Sequence, residues 1–269
     1  GGLRYGATSM DAEPGLWGGF SHYQFLHPRT VFHRIPSGLP FRYATLALPV
    51  SNGIEWAYRQ GGVGPGQVVV ILGPGQQGLA CALAAREAGA ACVIVAGLGH
   101  PSDLRRLETA KSLGAHHAVN VEEVDLTDFV GETTGGQMAD VVIDCTSGGA
   151  ASVNTALGLA RKKGTVLLAS QKREPIPLDS GRIVARALTV KGVRGHSYEA
   201  VELALQLLRA DRWNVRSMST HRFDLASTDA ALRMLVDKTG AVLHSVVEPW
   251  SEPGESGAVR PSPTTLRGT

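Results

Sequence analysis

Residues 68–85 constrain this chain more than any other stretch. Val68-Val69-Val70-Ile71-Leu72 is an unbroken apolar run of strand length, Gly73-Pro74-Gly75-Gln76-Gln77-Gly78 follows at once, and Leu79-Ala80-Cys81-Ala82-Leu83-Ala84-Ala85 continues as a helix. Strand, glycine turn and helix in direct succession form the opening of a β-α-β unit. In such a turn the first glycine allows the tight exit from the strand, the second lets backbone approach a pyrophosphate, and the third lets helix and strand pack closely. The first N–H groups of the helix and its positive dipole end then favour phosphate. A lone G-x-G-x-x-G is weak evidence, because glycines recur in turns for structural reasons. Here the flanking strand and helix supply the context that points to a dinucleotide site.

The pattern repeats downstream. Further strands are predicted at Cys92–Ala96, His117–Asn120, Val141–Asp144, Thr165–Ala169 and Leu188–Val193, with helices at Asp103–Leu113, Leu126–Thr133 and Ala150–Ala160. Six strands joined by right-handed crossovers give an α/β fold with a doubly wound parallel sheet. Ser197–Ala210 and Ser227–Lys238 read as amphipathic helices and Val242–Val247 as a closing strand, all most simply packing elements. Residues 251–269 are rich in Ser, Pro, Gly and Glu and poor in large apolar side chains, which predicts a disordered tail.

Composition narrows the function classes. The chain of 269 residues carries 26 Lys and Arg against 24 Asp and Glu, a net charge of +2, so nucleic acid is not an expected partner. No apolar run reaches the roughly 20 residues of a membrane helix. The cysteines Cys81, Cys92 and Cys145 are odd in number and far apart, which suggests neither a disulfide framework nor a zinc knuckle and fits a reducing, cytoplasmic compartment. A P-loop is excluded because Leu79 and Ala80 follow Gly78 where Lys and Ser or Thr are needed. A short-chain dehydrogenase would show Tyr followed four positions later by Lys. Tyr23, Tyr43, Tyr58 and Tyr198 are followed at that distance by His27, Ala47, Gly62 and Glu202. A methyltransferase using adenosylmethionine stays open on the turn alone, although Ala96-Gly97 lacks the acid its ribose usually meets.

Six segments together resemble the medium-chain dehydrogenase/reductases, which include zinc-dependent alcohol, sorbitol and threonine dehydrogenases. They are Trp17-Gly18-Gly19-Phe20-Ser21-His22-Tyr23, Leu48-Pro49-Val50-Ser51-Asn52-Gly53, the glycine turn, Ala110-Lys111-Ser112-Leu113-Gly114-Ala115, Asp140-Val141-Val142-Ile143-Asp144-Cys145-Thr146, and Lys163-Gly164-Thr165-Val166. The resemblance runs from about Trp17 to Glu248. It implies a partial catalytic, chaperonin-10-like β domain over 1–52, a Rossmann domain over 53–193 and a return to the catalytic domain over 194–250. It also implies a homo-oligomer paired through the outer strand, and hydride transfer between NAD or NADP and a small-molecule alcohol, aldehyde or polyol.

The resemblance assigns Gly73, Pro74, Gly75, Gln76, Gln77 and Gly78 to the pyrophosphate. It places Thr146, Ser170, Val193 and Arg194 along the nicotinamide side, and His244 near a basic position that reaches the pyrophosphate. It names no catalytic residue in this chain. Zinc is expected of the family, but the Cys and Gly-His-Glu motifs that hold the catalytic metal and the four clustered cysteines of the structural lobe are not found, and the third ligand position falls on Leu48. The first residues resemble the stretch after that lobe, which implies that a large N-terminal part of the catalytic domain is absent from this chain. His22, His27 and His33 read as surface or hydrogen-bonded groups, His116 and His117 as structural or solvated, and Cys145 as a small buried hydrophobe.

Coenzyme choice is expected to be lax. An NAD-selective fold ends its second strand in Asp or Glu, and here that place is Gly97. Arg105, Arg106 and His100 follow, either as phosphate partners or as a solvated helix face. The alternative to a dehydrogenase is a catalytically inactive dinucleotide-binding module or fragment.

Overall fold

The computed structural model describes residues 3–237, 242–251 and 257–258. Residues from Pro36 to Met218 form one unit, and the described residues before and after it form another.

In the first unit, α1 (Phe41–Ala44) and α2 (Ala47–Gly53) lead into a π-helical stretch, Ile54–Gln60. The core then alternates strand and helix: β1 (Val68–Leu72), α3 (Gln76–Glu87), β2 (Cys92–Gly97), α4 (Pro101–Ser112), β3 (His117–Asn120), α5 (Leu126–Thr133), β4 (Ala139–Asp144), α6 (Ala150–Leu159), β5 (Ala160–Leu168), α7 (Ser180–Arg186) and β6 (Thr189–Gly192). These six strands form one all-parallel sheet in the order β3-β2-β1-β4-β5-β6, the doubly wound arrangement. β1 lies near its centre, and Val69, Val70 and Ile71 are fully buried, as a strand covered on both faces requires. β5 begins earlier than its apolar run because Ala160 already pairs with Ala139; the register then shifts between Ala139 and Val141. There Asp140 accepts from Val68 N at 2.7 Å and pairs with Arg161 Nε at 2.6 Å, tying three strands at their entry.

The unit is wider than the 53–193 read from the strands. Pro49 sits in the first turn of α2, where its missing N–H is not needed, so the helix forms despite it. Trp56 Nε1 donates to the carbonyl of Gly195 at 2.9 Å, and Glu55 accepts from the N–H and hydroxyl of Ser197 at 3.2 and 2.7 Å. Those bonds hold the start of α8 (Tyr198–Ala210), capped by Ser197. Trp213 closes the far side: its Nε1 donates to Glu87 at 2.7 Å beside the Arg212–Glu87 ion pair.

In the second unit, Trp17 is buried and its Nε1 donates to Ala12 O at 2.8 Å, with the Phe25 ring edge-on 5.3 Å away. Residues 3–35 contain turns and extended backbone where strands of the catalytic domain were expected. A strand needs a partner for its backbone groups; here they close isolated bonds, Gly6 N to Trp17 O at 2.7 Å and Phe25 N to Leu16 O at 3.1 Å. After Ser219 come β7 (His221–Asp224), α9 (Thr228–Val236), β8 (Ser245–Glu248) and β9 (Gly257–Ala258), with β7 paired parallel to β8 and antiparallel to β9. The predicted tail is therefore corrected at Gly257–Ala258, where two small residues pair with backbone groups along β7, an interaction that needs no apolar burial. The rest of 252–269 lies outside the described residues.

Candidate coenzyme site

Sheet order fixes where a ligand can sit. β1 and β4 are neighbours whose connections leave in opposite directions, and at this switch point a crevice opens beyond the carboxyl ends of the strands. The glycine turn leaves β1 there and Cys145-Thr146 leaves β4. They meet: a β-carbon on Gly73, whose φ is +95°, would lie 3.1 Å from Thr146 Cγ2. Gly97 ends β2, Ser170 follows β5, and Val193 and Arg194 follow β6, so these residues lie with the glycine turn and Thr146 along one rim of the sheet, whereas His244 lies in the other unit. Pro74, Gly78 and Val193 are buried, Arg194 is exposed, and the others on this rim are half-buried apart from buried Gly97.

The three glycines of the turn separate by physical role. A β-carbon on Gly78 would lie 2.0 Å from the carbonyl oxygen of Gly73, an impossible contact, so this glycine is demanded by the fold. Gly75 is different. It caps α3 with φ −69° and ψ 176°, which any residue can adopt, and a β-carbon there would meet nothing within 4 Å. Folding does not call for a glycine at 75, and the space beside it lies at the N-terminus of α3. Gln77 Oε1 accepts from Asn52 Nδ2 at 3.2 Å, and Asn52 Oδ1 contacts His196 Nδ1 at 2.8 Å, which links the turn to α2 and the segment after β6.

Thr146 does not point its hydroxyl proton at open space. Oγ1 donates to Asp144 Oδ1 at 2.7 Å and its N–H to the same oxygen at 3.0 Å. The other oxygen of Asp144 receives Lys172 Nζ at 2.9 Å and Ser152 Oγ at 3.2 Å, while Lys172 also donates to the Thr146 carbonyl at 2.8 Å. Asp144 is fully buried and the Lys172 side chain only 11% exposed. This buried ion pair fixes the β4–α6 loop, and the sequence reading missed it. Asp144 at a strand end was visible, but nothing local marks Lys172, which arrives from the segment after β5.

Other expectations resolve as follows. His116 is structural: its Nδ1 accepts from Val93 N at 2.8 Å, and burial first, then the Arg86 guanidinium, lower its pKa. His27 Nδ1 accepts from Arg29 N, and the His22 ring lies tilted against Trp250 with centroids 4.5 Å apart. Cys145 is half-buried and hydrogen-bonded to Cys81, whose thiol pKa that contact and full burial raise. His244 cannot serve as a resident cation, because burial lowers its pKa to about 4 and leaves it neutral at pH 7. Leu48 lies exposed on α2, and no group of three His, Cys, Asp or Glu among the described residues could hold a metal ion. The described residues therefore do not fit the family's zinc.

The zinc-binding dehydrogenase pattern matches residues 78–210. A Mycobacterium tuberculosis protein named as a probable alcohol dehydrogenase is 37% identical over 254 residues, covering 91% of this chain and 68% of its own length. The chain belongs to the zinc-type, alcohol-dehydrogenase-like branch of the medium-chain dehydrogenase/reductases. Two solved structures share the fold. An alcohol dehydrogenase from Thermotoga maritima superposes with a TM-score of 0.80 at 22% identity over 89% of this chain and 66% of that one. An Escherichia coli protein named as a short chain alcohol dehydrogenase, complexed with NADH, gives 0.71 at 20% identity over 80% and 61%. The chain thus spans about two thirds of the length of these relatives.

Two outcomes follow from the site's electrostatics. Lys172→Met leaves a buried carboxylate without its cation and should cost about 3 kcal/mol of stability in urea denaturation; a change below about 0.5 kcal/mol would contradict the buried-pair account. His244 takes up a proton in the unfolded chain near its ordinary 6.5 but in the folded chain only near 4. Stability should therefore fall as pH drops from 6.5 to 4, by up to about 3 kcal/mol from this group. Urea midpoints at both pH values should show a smaller drop in His244→Gln, and equal drops would count against it.

Proposed function

We propose that this chain binds a nicotinamide dinucleotide along the rim formed by Gly73–Gly78, Thr146, Ser170, Val193 and Arg194, and that it serves an alcohol-dehydrogenase-type oxidoreductase. The observation that carries the reading is Gly75: open space and ordinary backbone angles remove the structural reason for a glycine, leaving the close approach of a phosphate as its reason. Membership of a dehydrogenase family and the NADH-bound neighbour support the choice of cofactor.

In the reading proposed, the N–H groups of the first turn of α3 receive the pyrophosphate with no counter-charge needed. The Asp144–Lys172 pair holds Thr146 and its loop still, so the nicotinamide side is preformed rather than assembled on binding. Bound nicotinamide supplies hydride chemistry to a carbon bearing a hydroxyl or carbonyl, on an alcohol, aldehyde or polyol. The chain's own share is binding and orientation. No step is assigned to zinc. We also propose homo-oligomerisation through β6, which borders the sheet with Thr189, Lys191 and Gly192 exposed.

Paired substitutions test the coenzyme site. Gly75→Val should keep the fold within about 1 kcal/mol, since only an N-cap preference changes, yet weaken NADH binding tenfold or more, about 1.4 kcal/mol. Gly78→Val should instead unfold or destabilise the chain by about 3 kcal/mol. Parent-like NADH affinity in a folded Gly75→Val protein would refute the phosphate-loop assignment. For assembly, light scattering at micromolar concentration should report a dimer or larger, and a monomer would refute pairing through β6.

A further inference from the structure

The end of β2 lacks an acid in sequence but not in space. A β-carbon on Gly97 would lie 2.6 Å from Cγ of the buried Pro74, so the glycine turn itself keeps any side chain, acidic or not, from that position. A carboxylate arrives by another route. Asp103, in the first turn of α4, reaches back so that its Oδ2 accepts the N–H of Leu98 at 3.3 Å, one residue past the end of β2. Its side chain is 17% exposed, and Oδ1 receives Arg106 Nη1 at 3.2 Å. From the neighbouring strand, the residues after β3 add a second acid: Glu122 Oε2 lies 2.6 Å from where a β-carbon of Gly99 would stand.

The cations that sequence placed here are arranged differently. Arg106 is engaged by Asp103. Arg105 is exposed on the helix surface, and His100 Nδ1 accepts from Ser102 N at 3.3 Å as the cap of α4.

We infer that Asp103 takes the part of the missing strand-terminal acid, accepts a hydroxyl of the adenine-side ribose, and makes the site select NAD over NADP. This rests on the coenzyme reading above and replaces the expectation of lax selection drawn from Gly97. Each carboxylate oxygen has two acceptor positions and uses one of them for Leu98 or Arg106, so both keep room for a ribose hydroxyl. A 2′-phosphate in the same place meets the Asp103 charge, with Glu122 close by.

Dissociation constants of NADH and NADPH, measured by fluorescence titration of the full chain at one salt concentration, decide the matter. The parent should favour NADH at least tenfold, about 1.4 kcal/mol. Asp103→Asn removes the repulsion, so the ratio should move toward NADPH by about tenfold or more. Equal binding of the two coenzymes by the parent, or a preference for NADPH, overturns the inference with no variant needed. So does an unchanged ratio in Asp103→Asn that melts like the parent. A parent that binds neither coenzyme instead overturns the coenzyme reading itself, and this inference falls with it.

Discussion

The first unit depends on how closely α3 passes over the exit of β1. With Gly78 against the carbonyl of Gly73, helix and strand meet at backbone distance, and no other residue type fits. That contact sets where α3 begins, and so aims its N-terminus at the crevice between β1 and β4. The same turn puts Pro74 against Gly97 and Gly73 against Thr146, so one six-residue segment touches the ends of three adjacent strands. Close packing by small residues thus positions the binding rim and also limits what the neighbouring strand ends can carry. Gly97 is the consequence: the acid that β2 cannot hold is delivered by the helix after it.

A second constraint is electrostatic. A carboxylate with no exposure, such as Asp144, survives only when its acceptor positions are filled and its charge is met. Thr146, Ser152 and Lys172 do both, drawing donors from the loop after β4, from α6 and from the segment after β5. The pair contributes little net stability over an apolar substitute of the same shape. What it gives is one arrangement of the β4–α6 loop at the rim, where a coenzyme would need fixed geometry.

The sheet was legible because its signal is local. Apolar runs such as Val68–Leu72 and Val141–Asp144 are buried on both faces and sit next to turn residues, so their existence and order follow from pattern alone. Helix ends moved by a residue or two; Pro101 starts α4 two residues ahead of the expected Asp103 because Pro suits the first helical position. What could not be read were partners distant in sequence. Ala47–Gly53 becomes helix although Asn52-Gly53 carries turn chemistry, because Gly53 lies against the Ala80 backbone of α3 and Asn52 bonds to His196. Lys172, and Asp103 as a stand-in for a strand-end acid, are meaningful only once the fold brings them to Asp144 and Leu98. Before Pro36, extended segments without neighbouring strands follow tertiary bonding rather than local preference.

The central claim is that the N-terminus of α3 is a phosphate site, and amide NMR during titration with NADH tests it at the atoms concerned. The account predicts saturable shifts that are largest at the N–H groups of Gln76, Gln77 and Gly78 and extend to Thr146 across the crevice, with the far end of the sheet unmoved. Saturable binding whose shifts cluster elsewhere and leave Gln76–Gly78 unperturbed would contradict it.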